Sequence, residues 1–361
     1  MKVFIHWDYK DDENLTHLLT ACSWSGSRLQ VARQLQFTIT QDDRDEFVPK
    51  INIDCGYTIH GYDDEDNLVF VGNVYSVEKD RQKSSYTILA RDHLHVLTRS
   101  KSTRKFTKAL PEDIAAQICD EMGVIKGEFA KTGTPVTFIA NGKTGYQIIM
   151  AAYTEAAKTT DKKYHPIMNG AKLDIIEKGS LIENFEAVST KNMTDSVYKK
   201  SIEKIINQVC ILDEHGNPTG YEKDDEQIQN YSMFQAEYKT DPNKDTKAEV
   251  KKLMKKPEES GTILVLGDYR VKSSYSIKVT DGLFTGKFWV KSDTHTFTDG
   301  KHEMKLELEF ENLMNEEKAE QEKAKEKRER KRKNSTAKPK ASTTKKTPRR
   351  RRKRKNEGAT A

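Results

Sequence analysis

Residues 301–310 read KHEMKLELEF, and in this stretch parity decides residue type. Lys301, Glu303, Lys305, Glu307 and Glu309 are charged, whereas His302, Met304, Leu306, Leu308 and Phe310 fall on the other side. A period of two sends successive side chains to opposite faces, so the stretch is a half-buried antiparallel strand with one wet face. Asp299-Gly300 precedes it, and an Asp-Gly pair between alternating runs signals a tight type I′ hairpin. The partner strand is then expected over about 288–297. Setting Thr298 opposite Lys301 puts Phe297 against His302, His295 against Met304 and Trp289 against Phe310.

Strand signals also fill the first hundred residues. Leu29, Val31, Leu35, Phe37 and Ile39 share one parity, a run interrupted only by Arg33. Further strands are expected over 57–62, 68–79 and 85–91, separated by polar turns. Helical signals begin at Pro111, where Glu112 and Asp113 suit the positive end of a helix; Ile114, Ile118 and Met122 line one face and Gly123 stops it. A second helix is expected from near Thr144 to about Ala157, with Ile148, Ile149, Ala152 and Tyr153 inward. Lys163 to Ile176 reads as a hairpin turning at Asn169-Gly170, Ile205 to Leu212 as a strand, His215 to Gly220 as a turn and Lys247 to Met254 as a short helix.

Several segments resemble one family. GDYRVKSSYSIKV (267–279), GLFTGKFWVKSDTHTF (282–297) and GKHEMKLELEF (300–310) are similar to the C-terminal part of XkdQ-like hub proteins of contractile phage tails and phage-tail-like bacteriocins. Those proteins are themselves similar to late-control-gene-D-like hubs. Trp24-Ser25-Gly26 followed by VARQLQF (31–37) resembles the family's N-terminal part, as do Gly72-Asn73-Val74 and YTILARD (86–92). The resemblance implies a β-rich α+β fold in which two tail-tube-like β-barrel domains flank an α+β module. On that reading, 1–100 is the first barrel, 101–182 the module, and 183–312 the second barrel with a short helix at 247–254. The remainder, 313–361, is a charged helix and a disordered basic tail.

Composition supports that division. The hydrophobic fraction is 35% and the charged fraction 33%, so part of the chain lacks the means to bury a core. The net charge of +6 hides a split: residues 331–361 hold 14 basic side chains against Glu357 alone, which leaves 48 basic and 55 acidic side chains in 1–330, a net of −7. Arguments from basicity therefore belong to the tail, and above all to Arg349, Arg350, Arg351, Arg352, Lys353, Arg354 and Lys355, a candidate electrostatic contact. No apolar run approaches the roughly 20 residues needed to span a bilayer. The N-terminus lacks a signal-peptide pattern, so no membrane partner is expected and the chain reads as cytosolic when made. Cys22, Cys55, Cys119 and Cys210 are scattered without a CxxC pair, which reads as reduced thiols.

Each motif that invites a chemical reading also has a plain structural one. Trp24-Ser25-Gly26-Ser27 lacks the G-x-S-x-G frame of a nucleophile elbow. Gly142-Lys143-Thr144-Gly145 lacks the P-loop spacing and reads as a loop and helix cap. Asp92-His93-Leu94-His95 reads as a turn, and Asp293, His295 and His302 share the packed face of the hairpin, where local hydrogen bonding is expected rather than a metal. No catalytic, cofactor-binding or metal residues are assigned, and no enzyme activity is expected.

The family resemblance implies a structural hub: a homotrimer that joins the hexameric tail tube to the central spike, with other baseplate proteins and the tape-measure protein as further partners. Such a hub is assembled in the host cytoplasm and carried in the virion or tail-like particle. Two alternatives stay open, a tail-associated cell-wall hydrolase and a nucleic-acid-binding protein acting through residues 331–361.

Overall fold

Short alternating runs fold the first part of the chain into strands. They are β1 (Lys2–His6), β2 (Glu13–Asn14), β3 (Leu19–Ser27), β4 (Gln34–Thr40), β5 (Thr58–Tyr62), β6 (Leu68–Asp80) and β7 (Ser85–Asp92). Their inward residues, among them Val3, Ile5, Trp24, Leu35, Phe37, Ile59 and Ile88, form one core. The structure is a computed structural model and describes residues 1–319 other than 10, 43, 45, 46, 49 and 243. The basic tail, with Arg349 to Lys355, lies outside the described residues.

A mixed module follows: α1 (Leu94–Arg99), β8 (Lys101–Ala109), α2 (Pro111–Met122), β9 (Lys126–Phe129), β10 (Val136–Thr144), α3 (Gly145–Thr160), β11 (Tyr164–Asn169) and β12 (Lys172–Glu177). α2 has Pro111 in its first turn, two acidic residues beside it, and Gly123 in the left-handed region at φ 68° as its C-cap. α3 opens on a capping box: the Thr144 hydroxyl accepts from the Gln147 N–H at 3.2 Å, and Gln147 Oε1 accepts from the Thr144 N–H at 3.1 Å. Ile114 and Ile118 of α2 and Ile148, Ile149 and Tyr153 of α3 then share a core with Phe138.

The last part holds β13 (Leu181–Val188), β14 (Met193–Ser201), β15 (Gln208–Leu212), β16 (Pro218–Lys223), α4 (Asp225–Tyr231), β17 (Gln235–Lys239), α5 (Thr246–Leu253), β18 (Glu258–Leu266), β19 (Ser276–Thr280), β20 (Thr285–Thr298) and β21 (Lys301–Glu309). β13, β19, β20, β21, β18 and β14 pair in that order, so the two outermost strands are consecutive in the chain. Ser196 of β14 donates to Asp281, just past β19, at 2.8 Å, which draws the ends of this curled sheet together. Ile263, Val265, Ile277, Leu306 and Leu308 fill its interior. β15, β16 and β17 form a separate three-stranded sheet.

The two β-rich parts share strands. β20 pairs with β3 through Ser292↔Ser27 to Phe297↔Cys22, making one thirteen-stranded sheet. Directly opposed residues share a face. One buried row therefore runs from Val265 through Met304, His295, Trp24, Leu35 and Ala90 to Val74, crossing seven strands from β18 to β6.

The hairpin itself holds with two corrections. Asp299 and Gly300 both have positive φ, 50° and 73°, as a type I′ turn requires. Phe297 faces His302 and His295 faces Met304, as read from sequence. Trp289, however, faces Glu309 and not Phe310, because a β-bulge between Val290 and Ser292 inserts one extra residue, Lys291, into β20. Glu309 was expected on the wet face and is 7% exposed, because charges from elsewhere cover it.

Other expectations shift for local reasons. β4 begins at Gln34, and the residues before it form a bend in which the Arg28 N–H donates to Lys291 O at 2.8 Å. Leu29 is thereby exposed, and Val31 leaves the sheet for the core of the helical module. The β11–β12 turn centres one residue later than expected, on Gly170-Ala171, since Asn169 still pairs with Lys172. β15 starts at Gln208, and β16 begins at Pro218, inside the expected turn. Residues 313–319 are irregular chain, with Met314 buried, where a charged helix was expected to start.

Replacing Leu306, 0% exposed, with Asp places an unpaired charge on the inner face and is expected to cost about 3 kcal/mol or more. Glu307→Asp on the outer face is expected to stay within about 0.5 kcal/mol of wild type. Urea unfolding of the two variants checks the facing of the strand.

Candidate functional site

The alternation of β4 breaks off at Arg33, and the structure shows what that residue does. Its side chain, 3% exposed, crosses to β20 and meets the Asp293 carboxylate, 0% exposed, with both terminal nitrogens. Nη1 donates to Oδ1 at 3.0 Å and Nη2 donates to Oδ2. The Ser273 N–H donates to Asp293 Oδ1 at 2.6 Å. The guanidinium carbon lies 4.1 Å from the centre of the Trp24 ring, a cation–π contact. Burial alone would raise the Asp293 carboxyl, but the Arg33 charge and the His295 ring hold it well below the usual carboxylate range.

Gly26 makes the approach feasible. It faces Asp293 across the β3–β20 pair, and a Cβ there would sit 2.5 Å from Arg33 Nη1 and 3.0 Å from Arg33 Cγ. The Arg33 N–H in turn donates to Asp92 Oδ2 at 3.0 Å. Asp92 is fully enclosed, and burial pushes its carboxyl up to about 7 against the pull of Arg33.

A second buried charge group lies beside the same hairpin. Glu309 accepts from Arg28 Nη2 at 2.7 Å and from Lys178 Nζ at 3.1 Å. Arg28 Nη1 donates to Asn315 Oδ1 at 2.8 Å, and Lys178 also donates to Leu313 O. His165 is buried nearby; burial first, then the cations Lys178, Arg28 and Arg33, drive its pKa down to about 3.

Of the motifs singled out in the sequence, Asp293, His295 and His302 do converge. His295 Nε2 lies 3.0 Å from Val271 O and can only donate to it, so Nδ1 accepts from His302 Nε2 at 2.9 Å. Burial and the adjacent His295 lower the His302 pKa to about 3, so the His302 ring is neutral. Asp92, His93 and His95 do not converge. Asp92 ends β7 and holds Arg33, whereas the His95 ring packs edge-on to Tyr75 at 4.6 Å. Trp24 to Ser27 lie within β3, and Thr144 caps α3.

The carboxylates that line the surface groove around Gln41, Arg44 and Ser84 are held ionised. Asp42 accepts from Arg44 at 2.7 Å and from Ser84 at 2.6 Å, and these bonds keep its pKa well below the usual range. A glycosidase-type pair needs one carboxylic acid raised toward neutrality beside an ionised one. The raised acid here, Asp92, is sealed in the interior.

Residues 22–309 match the YQBQ-like family, four-fifths of the chain. The chain belongs to the YQBQ-like family. The phage-like element PBSX protein XkdQ of Bacillus subtilis (strain 168) is 23% identical over 320 residues, covering 85% of this chain and 97% of that protein. The XkdQ-like resemblance read from sequence is thus borne out. The fold is similar to that of the 43 kDa tail protein of prophage MuSo2 from Shewanella oneidensis, at 13% identity and TM-score 0.66 over 85% of this chain and 97% of that one. It is also similar to that of a tail protein from Neisseria meningitidis MC58, at 14% identity and TM-score 0.60 over 86% and 97%.

Trp24-Ser25-Gly26 and VARQLQF, two of the segments that carry the XkdQ-like resemblance, supply three parts of the buried pair: the aromatic platform, the clearance and the guanidinium. The break in alternation at Arg33 was the signal in the sequence. Nothing local to Lys178 or Arg28 marks them as partners of Glu309.

Arg33→Met removes one charge and strands Asp293; a loss of about 3–5 kcal/mol is expected by chemical denaturation. The Asp92 carboxyl has a folded pKa of about 7, above its unfolded value of roughly 3.9. The native state therefore binds more protons in that window, and stability falls as pH rises through it. Asp92→Asn is expected to gain on wild type steadily from about pH 4 to 7 and hold a constant advantage above that range. Unfolding both proteins across the window measures the difference.

Proposed function

We propose that this protein is a structural hub of a phage-type tail baseplate, a non-enzymatic homotrimer that joins the tail tube to the central spike. Membership of the YQBQ-like family, with XkdQ and two tail proteins as relatives, carries the reading. Two curled β-rich parts in one chain suit a trimer that must present six tube-like units to a hexameric ring. The buried ion pairs and the His295–His302 contact support a structural role, since each of these groups is held by a fixed partner within the fold. Other baseplate proteins and the tape-measure protein are the further partners, and the virion or tail-like particle is the site of action.

In this scheme Arg349, Arg350, Arg351, Arg352, Lys353, Arg354 and Lys355 act as an electrostatic arm toward an acidic partner surface or nucleic acid. Native mass spectrometry of the full chain, alone and with its spike, is expected to give three copies. A chain ending at residue 330 is expected to give the same. A monomer at high concentration with spike present overturns the hub assignment, and a trimer lost on truncation moves the tail from arm to subunit contact.

A further inference from the structure

The outer face of the N-terminal sheet carries a separate group of titratable side chains. His6 ends β1 and His60 lies in β5, one diagonal step away, because Phe4 pairs with His60 and His6 with Thr58. Alternation puts both imidazoles opposite Val3, Ile5 and Ile59, which are fully buried. The two rings stack with centroids 4.2 Å apart and planes inclined by 19°. Asp12, just before β2, lies between their inward nitrogens: Oδ1 is 2.8 Å from His6 Nδ1 and Oδ2 is 3.3 Å from His60 Nδ1.

We propose that His6, His60 and Asp12 form a binding site for a divalent first-row transition metal such as Zn²⁺. Among the described residues this is the one place where three such ligand atoms gather, all within 4.8 Å of one another. Bonds of about 2.0–2.2 Å to imidazole nitrogen and carboxylate oxygen bring neighbouring ligand atoms to about the spacing seen between Asp12 and each ring. Two imidazoles and one carboxylate select zinc, cobalt, nickel or copper over calcium and magnesium, which prefer all-oxygen sets.

Two further features suit a ligand. The side chains of His6, Asp12 and His60 are 35%, 27% and 14% exposed, so an ion has a path in while the site is partly desolvated. With Nδ1 committed to a metal, His6 carries its hydrogen on Nε2, and Asp8 Oδ1 stands 3.5 Å from that atom. A carboxylate behind a ligating imidazole fixes its tautomer and orientation.

β2 is two residues long and lies at the end of the sheet order. A metal bridging Asp12 to β1 and β5 would fasten the turn after β1 and this short edge strand to the sheet face. Binding is accompanied by transfer of imidazole hydrogens from Nδ1 to Nε2 or release to solvent, with no change of oxidation state.

The test uses the full chain, without a histidine tag and stripped with chelator. Zn²⁺ is titrated by calorimetry, and Co²⁺ is followed by its visible absorption. One equivalent per chain is expected, with affinity reduced more than about tenfold in His6→Asn, His60→Asn and Asp12→Asn. His215→Asn, an exposed histidine elsewhere, is expected to bind as wild type does. Circular dichroism of the metal-free variants checks that they fold. Should any fail, modification of His6 and His60 by diethylpyrocarbonate is compared in the wild-type chain with and without Zn²⁺. Protection of both histidines supports the site. Binding that survives all three substitutions, equal modification with and without metal, or no uptake at submillimolar Zn²⁺ overturns it.

Discussion

Arg33 and Asp293 join two stretches of chain 260 residues apart with almost no water around either charge. Taking an ion out of water costs several kcal/mol after relaxation, so a buried pair survives only where its remaining hydrogen-bonding capacity is met. The surroundings supply most of this and leave Arg33 Nε unpaired. Both guanidinium ends meet both carboxylate oxygens, the Ser273 N–H adds a donor, and the Trp24 ring offers its electron-rich face. Gly26 contributes by having no side chain. Four residue types in β3, β4's approach and β20 are therefore fixed by one interaction.

Such a pair adds little net stability over apolar residues of similar volume. What it does add is register. A slip of β20 by one residue past β3 would turn Asp293 to the outer face and leave Arg33 buried without a partner, while the row from Val265 to Val74 would lose His295 and Met304 from its middle. The Arg28–Glu309–Lys178 group acts similarly at the other side of the hairpin. It ties the segment after β12 and irregular residues 313–315 to the end of β21. The interior is thus committed to holding elements in place, which accords with a protein whose work is done at its surfaces.

Local chemistry was legible in the sequence wherever neighbours in the chain decide the outcome. The Asp299-Gly300 turn, the Pro111-to-Gly123 helix and the Thr144 cap each rest on residues of one short stretch of chain. Glu309 was misplaced because parity states which face a side chain takes and not what covers that face; Arg28 and Lys178 arrive from more than 130 positions away. His6, Asp12 and His60 were passed over for a like reason, since no spacing rule links a strand end, a turn and a strand middle. Arg33 sat between these cases. A lone cation in an apolar parity announced that something opposite must answer it, but Asp293 could be paired with it only once β20 was beside β3.

The bulge at Lys291 shows how one strand serves two partners along a single edge. On its N-terminal side β20 pairs with β19, and on its C-terminal side with β3, while β21 follows along the other edge from Trp289 to Thr298. A strand that changes partners along one edge must bend where the first partner leaves, and an extra residue supplies that bend and increases the local twist. The cost is a backbone carbonyl out of register. Arg28, in the bend that ends β3, answers it by donating its N–H to Lys291 O at 2.8 Å, while its side chain reaches Glu309 on the neighbouring strand. The same residue therefore closes the hydrogen bonding of the bulge and neutralises the carboxylate that the bulge brings opposite Trp289. Were Lys291 paired in regular register instead of bulged out, Trp289 would face Phe310, as simple counting from the turn predicts, and Glu309 would not be Trp289's cross-strand partner. The departure from ideal pairing and the placing of Glu309 opposite Trp289 are two results of one bulged residue.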